Sequence, residues 1–343
     1  MAFPRPTLRD ALVRHKPFLA CATTQKGNTK SHRWPKVTSI HEWRAFNIDA
    51  LNESYGHVID STLSSTLVDK LPSTNKLEGL TMYDDSGPKN IIAWNDENVM
   101  SMVNHAKVFM GLHPGASVQH SYTSADGSTK AIFPEAHSKT TVDHVITLGN
   151  SRSDVLVVGL GRTSVKWKGS LLVKDFDNTT NENGWPLRQL ANLCSKAQTR
   201  YGYIQTDKEL VVCYFTVSTT GPPDEYEWSA YIMPVPWNTE LSSDQSAAPK
   251  THLTTELALW WLCMLSLCDE HRPIVALGQV VAIDSWDKQQ LNSGLWVRRH
   301  RYSGFEQPLP FAFPTPDLDF DFFLQSTGDS PDVTFLGETN PNM

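Results

Sequence analysis

The residue types that could carry chemistry are scattered through this chain and form no familiar catalytic motif. The twelve histidines include no HxxxH pair and no histidine–cysteine pairing at metal-ligand spacing, so spacing alone predicts no zinc site. The turn GLGRTS at 159–164 lacks both the full GxGxxG pattern and the Gly-Lys-Ser/Thr ending of a phosphate loop. No GxSxG element or kinase signature set is present. The candidates that remain are acids in the middle of the chain: Glu135, Asp143, Asp154 and Asp175.

The elements that would position these acids alternate between strand and helix patterns. Residues 141–148 form a short strand-like run, and 155–158 form a continuous apolar run typical of a strand buried on both faces. Trp185-Pro186 begins an amphipathic helix, and 201–205 and 209–217 pair as a hairpin. This order predicts an α/β core. The other expected elements are a helix from Asp96 to Met110 capped by Asp96, a strand at 226–234, a buried helix at 252–269, and strands at 274–283 and 295–302.

One segment carries a family resemblance. The run WPLRQLANLCSKAQTRYGYIQTDKELVVCYF at 185–215 has a Trp-Pro helix start with an Arg-Gln-hydrophobic pattern, followed by a Thr-Arg-Tyr-Gly turn into a hairpin. It closely resembles a segment of a large group of fungal proteins with a PD-(D/E)XK nuclease-like domain, and the resemblance covers roughly residues 96–267. It implies a restriction-endonuclease-like fold, a mixed sheet core flanked by helices. The matching residues are Trp185, Pro186, Arg188, Gln189, Thr199, Arg200, Tyr201, Gly202, Thr206, Glu209 and Leu210.

The chemistry that this resemblance implies is metal-assisted phosphodiester hydrolysis. Two acids on adjacent strands hold Mg²⁺ through oxygen, and a nearby Lys steadies the developing charge. Asp143 corresponds to the first acid. In place of the second acid and the Lys, this chain has Leu160 and Arg162. Leu cannot bind a hard cation, and Arg keeps the charge without a tunable pKa, so the sequence predicts a damaged metal site.

Further site residues follow from the same resemblance. Glu135 is the candidate extra acid, so that Asp143 and Glu135 would be the metal ligands, with Mg²⁺ as cofactor only if the site were active. Gln189 matches a helix Gln that helps position the site in such nucleases, and Asp143, Arg162 and Gln189 are therefore the catalytic candidates. The candidate phosphate-binding residues are Lys166, Lys168, Arg188 and Arg200.

Composition places the chain among globular proteins, with 40% hydrophobic residues and a net charge of −7 that does not favour nucleic-acid binding. Five cysteines without regular spacing argue against a disulfide framework. The N-terminus has no apolar segment of a secretory signal, and the most apolar stretch, 257–267, is too short to cross a bilayer. We therefore expect an intracellular protein of the cytoplasm or nucleus, not secreted and with no membrane partner.

Charge divides the chain into three parts. Residues 1–36 carry eight Lys and Arg against the single acid Asp10, and they are expected to be disordered. Residues 37–302 are the expected nuclease-like domain with a helical N-terminal part. Residues 303–343 are Pro-rich and contain seven acids and no Lys or Arg, which predicts a disordered acidic tail.

Three functions remain open from the sequence. The first is a nuclease-like protein with an inactive metal site that retains at most weak nucleic-acid binding. The second is an accessory protein of a fungal secondary-metabolite pathway that reuses the nuclease fold. The third is an interaction module that acts through the aromatic, acidic run LDFDFFL at 318–324, in which acids alternate with apolar residues.

Overall fold

A seven-stranded mixed sheet organises the chain in this computed structural model, which describes residues 5–24, 27–132, 141–149, 154–174, 183–218, 226–238 and 251–309. The strand order is β2-β11-β10-β9-β8-β7-β4, and the neighbours are antiparallel except for the parallel pairs β8/β9 and β11/β2. Its strands are β2 (Val37–Glu42), β4 (Val118–Tyr122), β7 (His144–Leu148), β8 (Asp154–Gly161), β9 (Tyr201–Gln205), β10 (Glu209–Val217) and β11 (Trp228–Pro236).

The central strands β7 to β10 are buried on both faces. The apolar run predicted as a buried strand lies within β8, and the expected hairpin is β9 and β10, paired with Leu210 opposite Gln205. Both strands belong to the same sheet as β7 and β8, which confirms the predicted mixed sheet core, whereas Thr141–Val142 at the start of the predicted 141–148 strand belongs to a separate two-stranded sheet. The continuous apolar composition of these strands follows from their burial, because helices cover both faces of the sheet.

Helices form a layer on each face of the sheet. On one face, α4 (Gly87–Phe109) and α7 (Thr255–Ser266) pack in a core that includes Val157 and Tyr203. On the other face, α6 (Trp185–Ala197) packs in a core that includes Val158 and Leu160. We call these the α4/α7 face and the α6 face. Two more helices are α2 (Ile48–Ile59) and α5 (Gly169–Lys174), and single turns lie at α3 (Ser65–Val68) and at a 3₁₀ helix (Thr74–Leu77).

Helix α4 begins earlier than the sequence pattern indicates. It starts at Gly87 with Pro88 in its first turn, a position where proline costs no hydrogen bond. Asp96, expected to cap the helix, lies inside it and is fully buried. The cap prediction is therefore wrong, and the buried carboxylate needs another explanation.

The N-terminal segment is also different from its prediction. Helix α1 (Leu8–Leu12) starts with a capping box between Thr7 and Asp10, and Leu8 and Leu12 are fully buried in the core of the α4/α7 face. The short parallel pair of β1 (Ala20–Cys21) with β3 (Thr81–Met82) ties down the residues that follow. Residues 5–24 thus contribute a helix and a short strand to the described structure, whereas composition predicts disorder for residues 1–36.

A small antiparallel sheet completes the described part of the chain. It consists of β12 (Trp286–Gln290), β13 (Trp296–His300) and β14 (Glu306–Pro308). The strand expected at 295–302 corresponds to β13, whereas 274–283 holds only a 3₁₀ turn at Leu277–Gln279 and an isolated bridge. A last two-stranded pair joins β5 (Ala131–Ile132) and β6 (Thr141–Val142). The predicted acidic tail begins with β14, and its residues 310–343 lie outside the described ranges.

No helix within the described ranges is long and apolar enough to cross a membrane.

Candidate functional site

Asp143 lies where the first acid of the predicted site is expected, in the bend between β6 and β7. Its Oδ2 accepts a hydrogen bond of 2.9 Å from the backbone N–H of Gly161 at the end of β8. The same oxygen lies 3.4 Å from Nη1 of Arg162, and Oδ1 lies 3.9 Å from Nζ of Lys89 at the start of α4. The carboxylate is therefore held by one backbone donor and two cationic side chains.

Leu160 lies on the neighbouring strand β8, directly after the last residue that pairs with β7. That last pair joins His144 with Gly159, so Asp143 and Leu160 are the residues adjacent to it on their two strands. Leu160 is 1% exposed and belongs to the core beneath α6. Its side chain thus serves packing and offers no ligand atom.

The three candidate catalytic residues come together at this end of the sheet. Nη2 of Arg162 donates to Oε1 of Gln189, which lies on α6, and Nη1 donates to the carbonyl of Gly161. Arg162 is 8% exposed, so its charge is mostly shielded from water and depends on these oxygens. Asp143, Arg162 and Gln189 form a connected polar group. It joins the bend before β7, the residue that follows β8, and helix α6.

The residues present do not fit a nuclease magnesium site. Mg²⁺ requires several oxygen ligands in octahedral geometry. Here one carboxylate is already engaged by donors and cations, and the facing position is hydrocarbon. Glu135 lies outside the described residues, and within them Asp143 belongs to no group of three or more His, Cys, Asp or Glu side chains that could hold a metal ion.

The predicted nucleic-acid-binding residues have different environments. Lys168 is exposed, whereas Nζ of Lys166 pairs with Asp85 at 2.5 Å. Arg188 donates to the backbone carbonyls of Trp34 and Pro35, at 3.0 Å each, and lies over the Trp185 ring.

Arg200 is 2% exposed and donates to the carbonyl of His271. Its placement does not support contact with a phosphate backbone, because a buried guanidinium cannot reach a polyanion at the surface. Arg200 follows the turn after α6, where an arginine is usually exposed, but residues around His271 cover it.

A second polar cluster lies on the α4/α7 face, and sequence spacing did not indicate it. Asp96 on α4, His120 on β4 and His144 on β7 each offer one ligand atom, and these atoms all lie within 4.8 Å of one another. Nδ1 of His120 is 2.8 Å from Oδ2 of Asp96, and Nε2 of His144 is 2.7 Å from Oδ1. The three residues are distant along the chain, so only the folding of α4 against two neighbouring strands brings them together.

The electrostatics of the cluster centre on a buried negative charge. Burial alone would raise the pKa of the Asp96 carboxyl, but the interactions with the His144 and His120 imidazoles more than offset it, and the pKa lies below its ordinary value. Burial likewise would lower the pKa of His120, yet its hydrogen bond to Asp96 raises it. Asp96 is therefore an ionised carboxylate with an imidazole on each side.

Tyr203 on β9 completes this cluster. Its hydroxyl is 2.6 Å from Nδ1 of His144, and burial holds the pKa of the phenol well above its usual range. The described residues thus include one polar group around Asp143 and one largely buried Asp–His–His group.

No family model, curated protein or solved structure gives a significant match to this chain.

Proposed function

We propose that this chain is a PD-(D/E)XK nuclease-like protein that binds nucleic acid weakly and does not hydrolyse it. The observation that carries the proposal is the engagement of the Asp143 carboxylate by Gly161 and Arg162, with the apolar Leu160 at the end of the neighbouring strand β8 in place of a second acid. The arrangement of one acid on the first strand next to a second strand agrees with the resemblance at 185–215.

Hydrolysis would need a metal cation, and the residues around Asp143 do not accommodate one. A bound metal lowers the pKa of the attacking water and polarises the phosphate. Arg162 supplies positive charge in a fixed direction but cannot generate hydroxide, because a guanidinium stays protonated. The polar group around Asp143 therefore cannot activate a nucleophile, and any phosphate contact falls to the more exposed Lys89 and Lys168.

Weak binding is the activity that these charges support. Lys89 lies beside Asp143 with a side chain that is 22% exposed, and Lys168 is exposed. Lysine ammonium groups bind phosphate oxygens through charge-assisted hydrogen bonds. The net charge of −7 opposes any polyanion, so the affinity should be low and steeply salt-dependent.

A cleavage assay tests the catalytic half. The purified protein is incubated with DNA or RNA and Mg²⁺ or Mn²⁺, and we expect no cleavage above background. The double variant Leu160→Asp/Arg162→Lys rebuilds the nuclease pattern and serves as the positive control, with circular dichroism to check that the buried acid leaves the fold intact. Cleavage by the wild type that Asp143→Ala abolishes would show that the damaged-site proposal is wrong.

A binding assay tests the other half. Fluorescence anisotropy with a labelled single strand should show weak binding. The logarithm of the association constant should fall linearly with the logarithm of the salt concentration, with a slope of about −0.7 per phosphate contact. Lys168→Ala should weaken binding, whereas the matched control Lys288→Ala, an exposed lysine of β12, should not. Equal effects of the two variants, or no salt-sensitive binding at all, would contradict the proposal.

A further inference from the structure

The buried group of Asp96, His120 and His144 has the donor set of a metal centre. Two imidazole nitrogens and one carboxylate oxygen suit first-row divalent metals such as Zn²⁺, Co²⁺ and Fe²⁺, and suit Mg²⁺ poorly. Asp96 and His144 have fully buried side chains, and the side chain of His120, on the edge strand β4, is 29% exposed. Two ligands therefore lie inside the core and the third lies where the group meets solvent.

The contact between Asp96 and His144 is not an ordinary hydrogen-bonded ion pair. Nε2 and Oδ1 approach to 2.7 Å, yet neither atom makes a well-directed hydrogen bond within the described residues. Two buried polar atoms that face each other without a well-directed hydrogen bond are costly in a core. Two lone pairs that converge on a shared cation would remove that cost.

The Tyr203 hydroxyl suits the imidazole form that a metal needs. With a metal on Nε2 of His144, Nδ1–H would donate to the Tyr203 oxygen, which lies 2.6 Å away. Metal-binding histidines commonly donate their other N–H to such a partner, which sets the ring orientation.

The sheet is built to let Tyr203 reach His144. The two residues lie on β9 and β7, and Gly159 on the intervening strand β8 is paired with both. A Cβ at Gly159 would stand 2.4 Å from the Tyr203 ring. The absence of a side chain at this position opens the path over β8, so the Tyr203–His144 contact is supported by three strands.

We propose that Asp96, His120 and His144 bind a first-row divalent metal ion, with Tyr203 as the positioning residue for His144. The site is separate from the polar group of Asp143, Arg162 and Gln189, since its ligands face the α4/α7 side of the sheet. The partial exposure of His120 leaves one side of the ion accessible to water or a small ligand. This proposal does not depend on the proposed nucleic-acid binding.

The test is metal binding to the full chain after chelator treatment. Isothermal titration should show one equivalent of Zn²⁺ bound, with no comparable binding of Mg²⁺. Titration with Co²⁺ should give d–d absorption bands without thiolate charge-transfer bands, and Fe²⁺ under anaerobic conditions should compete with Zn²⁺ for the same equivalent. Thiolate bands would assign the ion to the free cysteines and would overturn the proposal, as would the absence of Zn²⁺, Co²⁺ and Fe²⁺ binding.

Substitutions locate the site. His120→Ala, at a partly exposed position on an edge strand, should weaken Zn²⁺ affinity more than Tyr203→Phe, for which we expect about a 10–100-fold loss. The matched control is His41→Ala, a histidine on β2 at the opposite edge of the same sheet. Binding that His120→Ala does not alter, or that His41→Ala weakens as much as His120→Ala does, would overturn the assignment.

Discussion

At the scale of single residues, the environment of a side chain decides its role more than its type does. Arg162 and Arg200 are both conspicuous arginines in the sequence, yet Arg162 holds Asp143 and Gln189 whereas Arg200 is buried against the carbonyl of His271. Histidines differ in the same way. His144 belongs to a polar cluster, and His300 is locked into a neutral hydrogen-bonded form in the small sheet.

His300 makes a pH prediction possible. The backbone N–H of Ser303 donates to Nδ1 at 3.1 Å, so the ring N–H is on Nε2 and donates to the carbonyl of Ile283 at 2.8 Å. Burial lowers the pKa of His300, and the nearby His57 lowers it further, against the opposing effects of the Ile283 carbonyl, Glu53 and Asp284. The folded state therefore binds a proton at this site less readily than the unfolded chain does.

The free energy of unfolding should consequently fall as the pH drops below about 6.5, the usual histidine pKa. The loss continues until the folded state itself is protonated at His300. Urea denaturation between pH 7.5 and 5 measures it. His300→Gln should be less stable at neutral pH but should show a shallower decline on acidification. An unchanged slope in the variant would show that His300 does not contribute.

At the scale of elements, the sheet is the part of the fold that the sequence predicts well. The apolar run at 155–158 and the hairpin at 201–217 are local patterns, and they appear as β8, β9 and β10 in one sheet. Segments without strong periodicity are predicted poorly. Helix α4 begins at Gly87 and Pro88, well before the predicted start at Asp96. The sequence before Asp96 resembles a loop, because it contains glycine and proline.

The candidate site shows the same division. The family resemblance predicts Asp143, Arg162 and Gln189 as catalytic candidates. They lie together because β7 and β8 are adjacent strands. Asp96, His120 and His144 come from three elements with no motif between them, so no pattern in the sequence could group them. What could have drawn notice was an acid within a helical apolar run, a position where a buried carboxylate needs a partner.

Two glycines test the packing of these elements. Gly159→Ala places a Cβ 2.4 Å from the Tyr203 ring, so we expect a loss of about 1–3 kcal/mol in the free energy of unfolding. Gly56 lies within α2 with no atom near its Cβ position, so Gly56→Ala should stabilise the protein by about 0.5–1 kcal/mol. Chemical denaturation of both variants gives the comparison. A neutral Gly159→Ala would mean that Tyr203 moves freely away from His144.

At the scale of the whole molecule, the N-terminal segment is part of the folded body. Its basic residues meet acids elsewhere in the chain. Lys16 forms a buried pair with Glu256 on α7, at 2.7 Å, and lies over the Trp237 ring. Arg9 pairs with Asp60 at 2.6 Å. The charge asymmetry in the sequence is thus partly the complement of acids in the body, which composition alone could not show.

This role predicts different effects for two apolar residues of that segment. Leu12 is fully buried, and Leu12→Ala should lower the free energy of unfolding by about 2–5 kcal/mol because it leaves a cavity in the core. Phe18 is 67% exposed, so Phe18→Ala should change that free energy by no more than about 0.5 kcal/mol. Urea denaturation of the full chain gives both values, with far-ultraviolet circular dichroism as the probe. A disordered segment would make both substitutions neutral, and that outcome would contradict the packing of α1 against the core.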